Sequence, residues 1–215
     1  LHFGFISHAR LMRGKFISLE GVDGAGKSTH LAWIASRLKE LGKDVVVTRE
    51  PGGTPVGESL RQLVLTQPMS LDTEALVVFA ARSEHIASVI RPALEAGRWV
   101  LSDRFTDATF AYQGGGRGLE HERLAQLEAW VQRGLQPDLT LLFDVPLEVA
   151  RARLLAQQSA LDRFERENLD FFTRVRAAYQ QRLTADPARF RQIDGTQSVD
   201  LIKQKLEEII SSYCL

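Results

Sequence analysis

The chain has 215 residues, with 27 Lys plus Arg against 27 Asp plus Glu and a formal net charge of zero. That balance argues against a dedicated nucleic-acid binder, which carries a strongly basic face, and the 44% hydrophobic and 25% charged content is globular rather than disordered. The single cysteine, Cys214, excludes an intrachain disulfide framework and a cysteine-based zinc site, and no apolar run approaches the roughly 18 residues of a membrane span.

The first residues lack the basic start, long apolar middle and small-residue cleavage site of a secretory signal. Met12 is the expected natural start, residues 1–13 an N-terminal extension and residues 14–215 one domain. A cytoplasmic location is expected. Lys15–Glu20 reads as a buried strand ending at Gly21. Leu31, Ile34, Leu38 and Leu41 follow at helical spacing, with Gly42 as the stop. Asp44–Thr48 reads as a second strand and Pro51–Pro55 as a loop. Val56–Leu65 is expected to be helical, and Asp72–Ala96 a long helix ending at Gly97. Trp99–Ser102 is a third strand closed by Asp103. Gln113–Gly118, with three consecutive glycines, reads as a flexible turn outside regular structure. Helices are expected over Glu120–Arg133, from Pro146, over Phe164–Leu183 and over residues 198–212, with strands at Leu139–Phe143 and Phe190–Ile193. Short apolar strands alternating with helices predict an α/β domain with a largely parallel sheet.

Gly21-Val22-Asp23-Gly24-Ala25-Gly26-Lys27-Ser28 fits G-x-x-x-x-G-K-[ST] in full, after a strand and before a helix. Glycines let backbone N–H groups converge on phosphate oxygens, and the helix N-terminus adds partial positive charge. In this P-loop, Lys27 is expected to reach the β- and γ-phosphates, Ser28 to hold magnesium, and Thr29 to add a donor. Asp103, at the end of a neighbouring strand, is the second expected magnesium contact, with a turn cap as its plainer role.

Four blocks together resemble the bacterial thymidylate kinase family: Glu20 to Thr29; Thr48-Arg49-Glu50-Pro51-Gly52-Gly53-Thr54; Asp103-Arg104-Phe105 running on to Ala111–Gly118; and Leu161-Asp162-Arg163-Phe164-Glu165. The resemblance covers the chain from Lys15 onward. It implies a P-loop fold with a five-stranded parallel sheet and a mobile lid, here about residues 153–166, and a homodimer that binds neither nucleic acid nor membrane. It also implies transfer of the γ-phosphoryl group of ATP, the co-substrate, to dTMP with Mg2+, giving dTDP on the route to dTTP.

The acceptor is a phosphate already largely ionised at neutral pH, so positioning and charge neutralisation matter more than a strong base. Arg49, Arg82, Arg104 and Arg163 are the candidate cations. The resemblance implies that Arg104 contacts the acceptor phosphate, that Arg163 arrives with the lid, and that Asp23 faces the acceptor's sugar hydroxyl while sitting in the ATP loop. The stretch before Leu161 lacks the arginines common there in relatives, which leaves Arg153 as a substitute for Arg163. Glu50 and Pro51 are placed beside the acceptor. Phe79 and Arg82 share a helix face, so Phe79 is expected to stack on thymine and Arg82 to bond a base carbonyl, with plain core packing as the alternative for Phe79. Thr109 and Gln113, one turn apart, offer donors and acceptors to a pyrimidine edge. Tyr112 is implied near the sugar C2′, excluding a ribose hydroxyl. A kinase for UMP, CMP or AMP stays open as the first alternative and a P-loop NTPase without a nucleotide acceptor as the second. A GTPase is disfavoured because no [NT]-K-x-D motif is present.

Overall fold

The computed structural model describes residues 13–156 and 162–214. Residues 1–12, with the expected start at Met12, and residues 157–161, inside the expected lid, lie outside the described residues.

Five strands form one sheet: β1 (Phe16–Glu20), β2 (Val45–Arg49), β3 (Trp99–Asp103), β4 (Leu139–Asp144) and β5 (Phe190–Asp194). Their spatial order is β2-β3-β1-β4-β5, and every pairing is parallel. β1, at the centre, is buried along its whole length, which is why its apolar run does not alternate. The chain leaves β1 for β2, beyond β3 on one side, and leaves β3 for β4, beyond β1 on the other. The loops after β1 and β3 therefore diverge at their C-terminal ends, the place where open parallel sheets hold ligands. Helices α1 (Lys27–Glu40), α2 (Pro55–Thr66), α3 (Leu71–His85), α4 (Arg91–Glu95), α5 (Thr106–Thr109), α6 (His121–Gln132), α7 (Leu147–Ala156), α8 (Leu169–Ala185) and α9 (Val199–Cys214) complete the element order. The largest apolar cluster joins α1, α8 and α9 to the sheet through Ile34, Leu38, Val175, Tyr179 and Leu206; a second packs Ile86, Ile90 and Leu94 on Phe16 and Val100.

Two stretches are π-helical. Ile86–Ile90 joins α3 to α4, so the expected long helix is continuous but widened before Pro92. Proline lacks the N–H and crowds the carbonyl four residues back, and a wider turn accommodates it. The second, Phe110–Gly116, corrects the expectation of a flexible turn at Gln113–Gly118. Its glycines are there for close packing: a Cβ at Gly115 would lie 2.6 Å from the Ala178 Cβ and 2.8 Å from the Arg174 carbonyl oxygen of α8. A Cβ at Gly116 would run into the Phe171 ring. The helix expected from Phe164 begins only at Leu169, where the Asn168 side chain accepts from Phe171 N–H at 2.8 Å. Upstream, Asp162 Oδ1 already holds the Phe164 and Glu165 N–H groups in a separate turn.

Among the described residues no helix is long and apolar enough to cross a membrane.

Candidate active site

Two clefts meet where β1 and β3 end. The first is formed by the glycine loop. Gly26 takes a left-handed conformation (φ 104°) that turns the chain into α1, whose first turn carries no acidic residue. The helix N-terminus thus presents N–H donors and partial positive charge to the opening. Ser28 and Thr29 are exposed in it, whereas Lys27 is buried and its Nζ donates to the Gly21 and Val22 carbonyls at 2.9 and 3.1 Å. Burial and the nearby Arg104 lower the Lys27 pKa, against the pull of Asp23 and Asp103. The walls of this cleft, about 510 Å³, include Asp23 to His30, Asp103, Arg153, Gly195 and Gln197.

Asp103 Oδ1 is buried there without a hydrogen-bond partner. An orphaned carboxylate oxygen beside the exposed Ser28 hydroxyl suits a hard cation that keeps several waters and binds through few protein ligands. No cluster of three or more His, Cys, Asp or Glu exists among the described residues, so a site closed by protein ligands alone is not formed.

The second cleft is a smaller cavity walled by Asp23, Glu50, Pro51, Arg61, Val78, Arg82, Arg104, Phe105, Thr109, Tyr112 and Gln113, with Asp162 and Phe164 at one side. Asp23 borders both clefts, and Asp103 and Arg104, adjacent in sequence, face one each. Arg104 sits in left-handed backbone geometry (φ 71°), uncommon for a residue with a side chain. Its backbone is held by N–H donation to Leu19 O at 2.9 Å and by Ser102 Oγ donating to its carbonyl at 2.7 Å. Its guanidinium donates to Asp23 Oδ1 (2.6 Å), Tyr112 Oη (3.0 Å) and Tyr179 Oη (2.9 Å), and Tyr112 donates to Asp23 Oδ2 (2.9 Å). Burial alone raises the Asp23 pKa, but Arg104 and then Lys27 outweigh it and hold the carboxyl at about 2. Behind this cluster Glu20, wholly buried, accepts from Phe105 N–H (2.7 Å) and Tyr179 Oη (3.0 Å). Burial, then the charge of Asp107, pushes its carboxyl to about 8.

At the far end of the cavity Arg82 is 1% exposed. Its Nε donates to Glu50 Oε2 at 2.7 Å, and its Nη2 to Thr109 Oγ1 at 2.8 Å and Phe105 O at 3.2 Å. Nη1 is buried without a partner. Gln113 donates Nε2 to Glu74 Oε1 at 2.8 Å. A carboxylate accepts only, so this bond fixes the amide orientation and leaves the Gln113 carbonyl oxygen as the acceptor.

Two residues lie outside the clefts they were expected to serve, Phe79 in the core that was its alternative and Arg163 on partners away from the glycine loop. Phe79 is not among the residues lining the cavity; it is buried with Ala75, Phe110, Leu119 and Leu124, its ring centre 4.9 Å from the Arg82 guanidinium. Val78 and Arg82, four residues apart, share the cavity-facing stripe, and Phe79 lies about 100° further round the helix. The aromatic walls are instead Phe105, Tyr112 and Phe164. Arg163 does not reach the glycine-loop cleft: Nε donates to Val64 O at 2.8 Å, and Nη2 to Glu74. Glu74 is 1% exposed, and a buried carboxylate needs a cation beside it. The arginine at the glycine-loop cleft is Arg153, which donates to Gly195 O at 2.9 Å.

Sequence reasoning missed Arg61, Glu74 and Tyr179. Arg61 lines the cavity and donates to Pro51 O at 3.0 Å; burial, then Arg49 and Arg104, lower its pKa. The signal for Glu74 was its spacing, four and eight residues before the cavity-facing Val78 and Arg82.

A glycine loop at the start of a helix, an unpartnered carboxylate oxygen beside it and a second, arginine-lined cavity sharing one wall are the features of a P-loop phosphotransferase. The thymidylate kinase family model matches residues 19–206. The chain is 64% identical to a thymidylate kinase of Cupriavidus metallidurans, over 94% of this chain and all of that one. It is 59% identical to that of Bordetella pertussis, over 91% of this chain and 93% of the relative. A crystal structure of thymidylate kinase from Ehrlichia chaffeensis superimposes with a TM-score of 0.76 at 31% identity, covering 93% and 99% of the two chains. The chain belongs to the thymidylate kinase family.

Proposed function

We propose that the chain transfers the γ-phosphoryl group of ATP to the 5′-phosphate of dTMP, with the donor in the glycine-loop cleft and the acceptor in the arginine-lined cavity. The observation that carries this reading is the pair of clefts sharing Asp23, with Asp103 and Arg104 facing one each. Two phosphates drawn to opposite sides of that junction meet there. Ser28 and Asp103 would hold a magnesium ion, which would supply charge neutralisation on the donor phosphates.

The residues of the chain provide positioning and charge. Arg104, its pKa raised well above the usual arginine value by Asp23 despite burial, stays cationic at every working pH and draws the acceptor phosphate. Lys27, which caps its own loop carbonyls, exchanges those bonds for donor phosphate oxygens. Arg153 stands at the donor cleft as the cation for charge developing in transfer. No general base is needed, because the acceptor phosphate is ionised at neutral pH. The unpartnered Arg82 Nη1 and the Gln113 carbonyl oxygen form a donor and an acceptor, matching a base that presents C=O beside N–H. Thymine and uracil present that pair; cytosine inverts it and leaves both groups unpaired. Val78 and the Phe105 ring supply the apolar wall in place of Phe79. Tyr112, held by Asp23 and Arg104, fills the sugar side and disfavours a ribose hydroxyl.

A homodimer fits the α3/α6 face, where an apolar groove exposes Leu76 (53%) and Trp130 (71%) beside Ile86 and Val131. Sedimentation tests this: a dimer that Trp130→Glu dissociates is expected, and a wild-type monomer at micromolar concentration refutes it.

The test of function is ADP release with ATP and magnesium, comparing dTMP, dUMP, UMP, CMP and AMP as acceptors. Preference for dTMP is expected. Turnover of another monophosphate instead overturns the base reading, and ATP loss independent of acceptor overturns the kinase.

A further inference from the structure

His85 ends α3, is wholly buried and lines neither cleft. Its Nδ1 lies 2.9 Å from Glu50 Oε1, and its Nε2 lies 2.7 Å from Thr48 Oγ1. The other oxygen of Glu50 accepts from Arg82 Nε at 2.7 Å. Arg82 and His85, three residues apart on one helix, thus grip the two oxygens of one carboxylate from the same side. Glu50 Oε1 can only accept, so Nδ1 carries the proton. The Thr48 hydroxyl, 2.7 Å from Nε2, holds the opposite edge of the ring.

Two further observations show that the pair is built in. A Cβ at Gly53 would lie 2.6 Å from both His85 Nε2 and Thr48 Oγ1, so the loop after β2 closes directly over them. At the other end of the chain of bonds, Arg82 has three fixed contacts and one unpartnered Nη1. A carboxylate held at one oxygen only can turn about its last torsion. Held at both, it fixes the plane of the guanidinium and hence the direction of the remaining donor.

We propose that His85 is a positioning residue for acceptor selection: acting through Glu50, it sets the direction of the Arg82 donor without touching the nucleotide. The inference rests on the reading of the Arg82 cavity as the acceptor site. Loss of the His85 contact weakens one charge-assisted hydrogen bond to the base, on the scale of a tenfold effect.

The experiment measures kcat and both KM values for dTMP and dCMP with ATP, in wild type and in four variants. His85→Leu keeps bulk but removes both bonds. It is expected to raise KM for dTMP roughly tenfold, leave KM for ATP within about twofold, and reduce the preference for dTMP over dCMP roughly tenfold. His85→Asn places an amide N–H near the former Nδ1 and is expected to return KM to within about threefold of wild type. Thr48→Val leaves the imidazole in place, is expected to raise KM about threefold, and carries the test if His85→Leu fails to fold. Unchanged KM and preference in His85→Leu, equal damage in His85→Leu and His85→Asn, or parallel rises in both KM values overturns the proposal. Arg82→Gln separates the layers: if it leaves dTMP recognition unchanged, the acceptor reading falls and takes this inference with it. If Arg82→Gln weakens dTMP while His85→Leu does not, the inference on His85 alone is wrong.

Discussion

The two clefts, proposed above as the donor and acceptor sides, are made of different material. The glycine-loop cleft presents much backbone, in a glycine loop, a helix N-terminus and the Gly195 carbonyl, with Ser28 and Thr29 exposed and Lys27, Asp103 and Arg153 as separate charged side chains. The acceptor cavity is built from side chains that hold one another, with Glu50, Arg82, Thr109 and Gln113 all 3% exposed or less. Backbone N–H groups recognise phosphate, which every nucleotide carries, and tolerate what is attached to it. Preset side-chain donors and acceptors reject a base that lacks their complement, because burial then leaves them unpaired. On the proposed reading, the costly recognition is therefore concentrated in the arginine-lined cavity.

Substitutions on the two sides should separate kinetically. The largest expected effect is Lys27→Ala, lowering kcat by at least about two decades with little change in KM for dTMP. Near-normal turnover in a steady-state assay removes Lys27 from the chemistry. Next, Arg153→Ala is expected to lower kcat about 30-fold, whereas Arg163→Ala costs less in kcat than in thermal stability, because it strips a cation from buried Glu74. A reversed order, with Arg163→Ala dominating kcat, restores Arg163 as the donor-side cation and shows that the Glu74 contact breaks during turnover. Tyr112→Ala, on the acceptor side, is expected to raise the relative kcat/KM for ribonucleotides about tenfold; an unchanged ratio in a UMP and dUMP comparison excludes it from sugar selection.

The smallest effect concerns the support beneath both sides. The folded pKa of Glu20 is raised from 4.5 to about 8, so between those values the folded state holds more protons than the unfolded one. This contribution is fully present below about pH 4.5 and is lost as pH rises through about 8. Wild-type melting temperature should fall by a few degrees more than that of Glu20→Gln between pH 6 and pH 9. Parallel pH profiles for the two proteins contradict the raised pKa.

The sequence made the donor side more legible than the acceptor side for the same physical reason. Backbone phosphate sites need glycines at set spacing, and Gly21 to Ser28 carries that spacing in one contiguous run. The central strands β1, β3 and β4 were equally plain, because parallel strands covered on both faces read as short hydrophobic stretches, whereas the edge strand β5 buries only Phe190 and Ile193 and gave a weaker signal. The acceptor cavity draws on the loops after β1, β2 and β3 and on α2, α3 and α5, and its side chains find partners far along the chain. Phe79 and Arg82 share a local face, yet which part of that face meets the cavity depends on where α3 sits against Phe110 and Leu124. Arg163 stands in a recognisable block, but its direction is decided by Glu74, 89 residues earlier. Local spacing contains neither fact. Gly114 to Gly116 misled differently: glycine signals either a turn or close approach, and only the arrival of α8 distinguishes them.

Those glycines also govern which sequence changes this architecture can inherit. An added methyl at Gly116 meets mainly the Phe171 ring and the Val175 side chain, both of which can shrink. At Gly115 it meets the Arg174 backbone, which no substitution can trim. Position 116 should therefore drift among related chains in concert with positions 171 and 175, while position 115 stays glycine wherever α8 keeps its seat.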